Sequence, residues 1–166
     1  MKTRWMCAIL FLVLGATAMA APPVATAADK FPEKKWFMNG KGYAEALEIQ
    51  KQTGADMIVY FANYGQSDEK GLCHWFEKRV LGVPTVEKYL RSYIKVKFMF
   101  PLNRDDNEIA GKFAVNKTPA IFVAPKDGYH KRLTPFHWQN KNPKPVLPDE
   151  FVAEVKSKSS APRDSE

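Results

Sequence analysis

The sequence predicts one α/β domain, and three observations support that fold class. The segment from Tyr43 to Thr53 places apolar side chains among Glu and Lys in the manner of a helix. The run from Asp56 to Ala62 follows closely and is apolar almost throughout, which is typical of a central strand covered on both faces. With 166 residues, 45% hydrophobic and 26% charged, the chain has the size and composition of one globular domain, which argues against a disordered protein, collagen or a coiled coil.

The first two predicted helices have recognisable ends. Gly54 stands just after the last turn of the first helix, a position that favours glycine. Ser67 is a candidate N-cap for a second helix that runs to about Leu81. Gly82 and Pro84 then end this helix. Its apolar stripe repeats every four residues, at Leu72, Phe76 and Val80.

The second half of the chain continues the alternation of helix and strand. The first predicted elements are a short helix or turn (Thr85 to Arg91), a strand (Ser92 to Phe100) and a helix (Asp105 to Phe113). Two further strands (Ala120 to Val123 and Leu133 to Phe136) and a last helix (Pro148 to Val155) follow. The turn Pro125-Lys126-Asp127-Gly128 between the two later strands is the strongest hairpin signal in the chain. Pro148 lies near the first turn of the last helix, where proline is favoured.

The first 20 residues have the pattern of a secretory signal peptide. Lys2 and Arg4 form a basic head, and an apolar run follows from Ala8 to Leu14. Ala18-Met19-Ala20 is a cleavage signal, and Ala25-Thr26-Ala27 offers a later cut. The apolar segment is shorter than the roughly 20 residues that cross a bilayer, so we expect cleavage and no stable membrane anchor. The sequence therefore predicts an exported protein, periplasmic or extracellular.

Cleavage would change both the cysteine count and the net charge. The full chain has two cysteines, 25 basic and 18 acidic residues, and a formal net charge of +7. Removal of residues 1–20 takes away Cys7 and two basic side chains, which leaves a net charge of +5 and one cysteine, Cys73. The basic and acidic residues are interspersed, as on an ordinary solvated surface. Together with export, this pattern argues against a nucleic-acid partner.

The expected mature chain has three parts. Residues 21–35 are expected to form a flexible tether and residues 157–166 a disordered polar tail. The folded domain is therefore predicted at residues 36–156. It contains no zinc-type spacing of ligands, Gly-rich phosphate loop or nucleophile elbow. We therefore expect no metal and no other cofactor.

Two stretches resemble the thioredoxin-like superfamily. Asn116 to Val123, N-K-T-P-A-I-F-V, resembles the cis-proline loop of that family and the antiparallel strand after it. Lys70 to Glu77, K-G-L-C-H-W-F-E, resembles members whose helix begins C-x-x-C-H-x-M-E. The resemblance implies a three-layer fold in which helices flank a central mixed sheet. It also implies that Thr118 and Pro119 border a groove in which an extended polypeptide pairs with the backbone of the residue before proline.

The sequence departs from this family at the redox motif. On the implied alignment Cys73 takes the second, resolving position, and Lys70 stands where the nucleophilic cysteine belongs. Dithiol exchange needs an exposed thiolate of low pKa and a second thiol, and lysine supplies neither. Tyr60 falls near the family's buried acidic residue, where a phenol is a poor proton acceptor. The leading hypothesis is therefore a polypeptide-binding module without dithiol activity, whose groove includes Lys70, Thr118 and Pro119.

Cys73 leaves two interpretations open. On a helical projection it lies about 60° from Phe76, the centre of the apolar stripe, so its position is at the border of the core. A buried Cys73 would be an inert, small hydrophobic side chain. An exposed Cys73 would be a reactive thiol whose pKa the helix N-terminus and Lys70 lower. The alternative function is therefore a single-cysteine thiol-disulfide exchange protein, a monothiol oxidoreductase with Cys73 as its catalytic residue, and an exposed thiol would also permit a Cys73-linked dimer.

Overall fold

The computed structural model describes residues 35–65 and 68–160. Helices and strands alternate as predicted, and the α/β fold class is confirmed. In the described ranges the α-helices are α1 (Asn39–Thr53), α2 (Asp68–Phe76), α3 (Pro84–Tyr89), α4 (Arg104–Lys112) and α5 (Pro148–Lys158). The strands are β1 (Phe37–Met38), β2 (Met57–Asn63), β3 (Ile94–Phe100), β4 (Ala120–Ala124), β5 (Lys131–Leu133), β6 (Phe136–Gln139) and β7 (Asn142–Pro145).

The strand β2 is the centre of a five-stranded mixed sheet with the order β1-β3-β2-β4-β5. It runs parallel to β3, with Met57 opposite Ile94, and antiparallel to β4, with Phe61 opposite Ala120. All of its residues except the last, Asn63, are buried, because helices cover both faces of the sheet. The predicted central strand is therefore confirmed.

Alternate residues of β2 divide the core into two clusters, as the period of a strand requires. Phe61 points into the cluster under α1 and α4, where it stacks on Phe98 with 4.7 Å between ring centroids. Tyr60 points into the cluster under α2, α3 and α5. There Phe76, the centre of the predicted stripe, lies 5.9 Å from the Tyr60 ring and 5.8 Å from the Phe151 ring. The helices and the sheet thus form three layers.

The ends of the helices follow the sequence signals. Gly54 ends α1 with a left-handed φ of 68°, as predicted. The helix α2 continues as a π-helical turn over Glu77–Leu81 and stops before Gly82, so the predicted end near Leu81 is confirmed. The N-cap candidate Ser67 lies outside the described residues.

The C-terminal helix is longer than predicted. It extends to Lys158, and the backbone N–H and hydroxyl of Ser160 donate to the buried carboxylate of Asp56 at 2.8 and 2.9 Å. The first residues assigned to the disordered tail are therefore part of the fold, because they supply the partners of a buried charge. Residues 161–166 lie outside the described residues, as do the predicted signal peptide and residues 21–34 of the predicted tether.

A second, two-stranded sheet, β6 with β7, was not predicted. The sequence predicts one strand from Leu133 to Phe136, but Leu133 ends β5 and Phe136 begins β6. Pro135 lies between them and has no N–H to donate to a ladder, which explains the break. The β6–β7 hairpin stands beside α2, where the ring centroids of Trp75 and Phe136 are 5.9 Å apart.

Candidate functional site

A groove of about 350 Å³ opens between the first turns of α2 and the loop that enters β4. The Thr118–Pro119 peptide bond in that loop is cis. Two predicted binding residues, Thr118 and Pro119, therefore line one groove. The apolar part of the lining consists of Leu72, Pro119, Pro135, Phe136 and Trp138, and the polar part consists of Asp68, Glu69, Lys117, Thr118 and Arg132.

Glu69 connects the two walls of this groove. The hydroxyl of Thr118 donates to Glu69 Oε2 at 2.6 Å, and the side-chain amide of Asn63 donates to the same oxygen at 3.3 Å. A short hydrogen bond to a carboxylate is among the stronger polar contacts in a protein. The sequence analysis did not identify Glu69. The available signal was an acidic residue in the first turn of the helix, next to the position of the missing nucleophile.

Cys73 is fully buried and does not line the groove. Its Sγ accepts a hydrogen bond from the backbone N–H of Asn63 at 3.3 Å. Burial raises the pKa of the Cys73 thiol, and the opposing effects of the Asn63 N–H and the Thr118 hydroxyl are smaller. The thiol therefore has the surroundings of an inert core cysteine.

Lys70 is exposed on α2 and is not among the residues that line the groove. Successive helical residues point about 100° apart, so Glu69 and Leu72 can share a face from which Lys70 turns away. The prediction that Lys70 belongs to the groove is therefore not supported by the geometry. In the described part of the chain, no three His, Cys, Asp or Glu side chains converge as metal ligands.

Solved structures with a similar fold include a thioredoxin from Thermus thermophilus. It is 21% identical, with a TM-score of 0.51 over 75% of this chain and 87% of that chain. The structure described as DsbH oxidoreductase is 17% identical, with a TM-score of 0.56 over 87% of this chain and 93% of that one. This protein has a thioredoxin-like fold. The oxidised C-terminal domain of Neisseria meningitidis DsbD is 14% identical, with a TM-score of 0.54 over 75% of this chain and 99% of that domain.

These similarities lie at the level of the fold. The sequence matches no protein-family model and no curated protein significantly. No helix in the described ranges is long and apolar enough to cross a membrane. Since one fold supports many activities, the function of this thioredoxin-like domain has to be argued from its site.

An acidic side chain lies one helical turn after Cys73 in this thioredoxin-like domain. Glu77 accepts a short hydrogen bond from the hydroxyl of Tyr64 and pairs with Lys97, with 3.0 Å between Nζ and Oε1. The Lys97 ammonium also lies 5.5 Å from the centre of the Tyr60 ring. Tyr60 is on the central strand, near the position of the family's buried acid in the resemblance, whereas the role of Glu77 was not predicted from the sequence.

The hydroxyl of Tyr60 lies close to the Glu77 carboxylate and the Cys73 thiol, but it forms no hydrogen bond of normal distance and angle with any described residue. The side chain is fully buried. Burial is the largest cause that raises the pKa of Tyr60, and the neighbouring acidic groups of Cys73 and Glu77 add to it. A buried hydroxyl without a partner is destabilising, because it has lost its hydrogen bonds to water.

Removing this hydroxyl gives the first testable prediction. We expect Tyr60→Phe to raise the free energy of unfolding by about 1 kcal/mol, because no hydrogen bond is lost. Tyr93→Phe is the matched control: the Tyr93 hydroxyl is 2.8 Å from Ser159 Oγ and 3.2 Å from the Tyr89 hydroxyl. Its removal should lower stability by about 1 kcal/mol. Urea denaturation measures both, and equal losses in the two variants would show that the Tyr60 hydroxyl is bonded.

Proposed function

We propose that this protein is an exported thioredoxin-like domain that binds an extended polypeptide in the groove beside Thr118 and Pro119. The observation that carries the proposal is that the groove is lined without the thiol, which is buried behind Thr118. The groove offers an apolar surface next to the loop before β4, whereas Cys73 is buried and does not reach it. A partly apolar groove with a few fixed polar groups is suited to backbone pairing with an extended chain.

The domain does not act by dithiol exchange on this proposal. Cys7 and Cys73 are the two cysteines of the chain, and Lys70 occupies the position three residues before Cys73. A mixed disulfide formed by a partner thiol would find no neighbouring thiol to resolve it. The raised pKa of Cys73 further reduces the thiolate that such chemistry requires.

Export is proposed from the N-terminal sequence. A basic head, the apolar run from Ala8 to Leu14 and the small residues before Ala21 are the features that a signal peptidase recognises. Mass spectrometry of the protein recovered from expressing cells tests this part: cleavage after Ala20 or Ala27 is expected. A chain that keeps residue 1 after expression in a secreting host would contradict export.

The binding part can be tested with an array of random peptides, about 12 residues long, probed with the full chain. We expect a subset of peptides to bind, and the same subset to bind Cys73→Ala, because the thiol does not reach the groove. Leu72→Arg should abolish this binding, since a long charged side chain would fill the groove. Circular dichroism and a urea curve check that both variants fold. Binding that disappears in a folded Cys73→Ala protein would favour the single-cysteine alternative.

The thiol itself gives a second prediction, in a Cys7→Ser background so that Cys73 is the only thiol. Native protein should react with Ellman's reagent on the order of 100-fold more slowly than the urea-unfolded chain, because reaction requires local opening of the core. A native rate equal to that of the unfolded chain would show that Cys73 is accessible and would contradict the binding-only function.

A further inference from the structure

The β6–β7 hairpin forms one wall of the groove and has an apolar face. In register across the hairpin, Phe136 lies opposite Pro145 and Trp138 lies opposite Pro143. Phe136 is buried, whereas 64% of the Trp138 surface is exposed although this side chain lines the groove. The core therefore holds the base of the hairpin and leaves its aromatic tip open to a ligand.

The apolar surface continues beyond this groove. Phe136 contacts Trp75 on α2, which is also exposed, and Trp75 lines a second depression of about 320 Å³. Leu147, 62% exposed, lies on the far side of that depression. The two depressions therefore adjoin at the contact between Trp75 and Phe136, and we call them together the strip.

The linings of the two depressions contain three cations and two acids. Lys117 and Arg132 line the groove, and Arg79 lines the second depression, which has no acidic residue in its lining. Neither Lys117 nor Arg79 forms an ion pair with any residue in the described ranges. The groove also contains two acids: Glu69, which accepts hydrogen bonds from Thr118 and Asn63, and Asp68, so Lys117 in the groove and Arg79 in the second depression are the sites for ligand carboxylates.

We propose that the ligand of this strip is an acidic polypeptide segment with large apolar or aromatic side chains, held between α2 and the β6–β7 hairpin. The inference rests on the proposed peptide-binding function and adds the class of segment. Aromatic side chains of the ligand contact Trp138 and Phe136, and its carboxylates pair with Lys117 and Arg79. In an extended segment alternate side chains point to opposite sides, so alternating acidic and aromatic residues present both features at once.

Three fluorescein-labelled heptapeptides test the inference by anisotropy with the full chain. The first alternates Glu and Phe, the second replaces each Glu by Lys, and the third replaces each Phe by Ala. We expect the first to bind at least about tenfold more tightly than either of the others. Its affinity should fall as sodium chloride rises from about 0.05 to 0.5 M, because exposed ion pairs are screened.

Protein variants locate the contacts. Trp138→Ala should weaken binding of the Glu-Phe peptide about tenfold, and Lys117→Glu or Arg79→Glu about fivefold each. Tyr129→Ala removes a more exposed aromatic side chain outside the strip, and Lys41→Glu reverses an exposed charge on α1. Neither control should change the affinity, and urea curves check that all five proteins fold.

The possible outcomes distinguish a wrong class of ligand from a failure of the proposed peptide-binding function. If the Lys-Phe peptide binds as tightly as the Glu-Phe peptide, or if Trp138→Ala binds like wild type, the acidic and aromatic class is wrong. If the array selects other peptides while none of the three heptapeptides binds, the class is again wrong and the groove proposal stands. If the array selects no peptide at all, the proposed function itself fails.

Discussion

The Gly42→Ala protein is expected to lose about 3 kcal/mol of unfolding free energy. Gly42 is buried in α1 where the helix passes close to β1. A Cβ atom at this position would lie 2.6 Å from the carbonyl carbon of Phe37 and 3.1 Å from its Cα. These are backbone atoms, so no side-chain rotation relieves the overlap. The helix or the strand would have to move, although Phe37 pairs with Val96 in the sheet.

The control is a glycine-to-alanine substitution at a helical position where the added Cβ would contact no other residue. Gly111 is also in a helix, α4, and a Cβ there would meet no atom within 4 Å. Gly111→Ala should therefore raise stability by about 0.5 to 1 kcal/mol, since alanine restricts the unfolded chain and favours the helix. Urea denaturation with equal m-values measures both variants. A Gly42→Ala protein as stable as wild type would contradict the close contact between α1 and β1.

The sequence predicted the elements that are long enough to show a helical period or a continuous apolar run. The run from Asp56 to Ala62 is apolar because β2 is covered on both faces, and this composition distinguishes it from an amphipathic helix. The strand β1 has only two residues, too few for any period to be visible. The strand β7 reads N-P-K-P, and two prolines argue against a strand. It forms because β7 has only one neighbour, β6, in its sheet.

The site was predictable only in part, for a related reason. Thr118 and Pro119 were found because a proline before an apolar strand is a local pattern that resembles a known loop. Glu69 and Trp138 belong to the site only through tertiary packing. Glu69 accepts a hydrogen bond from Thr118 across the groove, and Trp138 lies on the hairpin that was not predicted. Lys70 was placed in the groove by alignment alone. In the structure it is exposed on α2 and is not among the residues that line the groove.

The burial of Cys73 explains how a thiol persists without a redox partner. Its side chain belongs to the cluster that contains Tyr60 and Phe76, and it accepts a hydrogen bond from the backbone N–H of Asn63 at the end of β2. These are packing roles, which a cysteine can fill without a thiolate. Dithiol exchange in this domain would then require one further group, a thiol at position 70.

We therefore expect Lys70→Cys to restore dithiol chemistry, again in a Cys7→Ser background. Positions 70 and 73 are both in α2, where residues three apart have Cα atoms about 5 Å from each other, within the range of disulfides. Oxidised glutathione is the oxidant. The introduced thiolate attacks it and releases one glutathione, and the Cys73 thiolate then displaces the second glutathione to close the intramolecular disulfide.

The expected results are a loss of two thiols by Ellman titration after unfolding, and reduction of insulin by dithiothreitol at least about tenfold faster than with the parent protein. Lys70→Ser controls for the loss of lysine and should stay inactive.

Lys70→Cys combined with Cys73→Ala should stop at the mixed disulfide with glutathione, visible as added mass. If the double variant reduces insulin as fast as Lys70→Cys, Cys73 takes no part in resolution. If Lys70→Cys itself is folded but forms no internal disulfide, the lysine at position 70 is not what prevents dithiol exchange, and the burial of Cys73 alone prevents it.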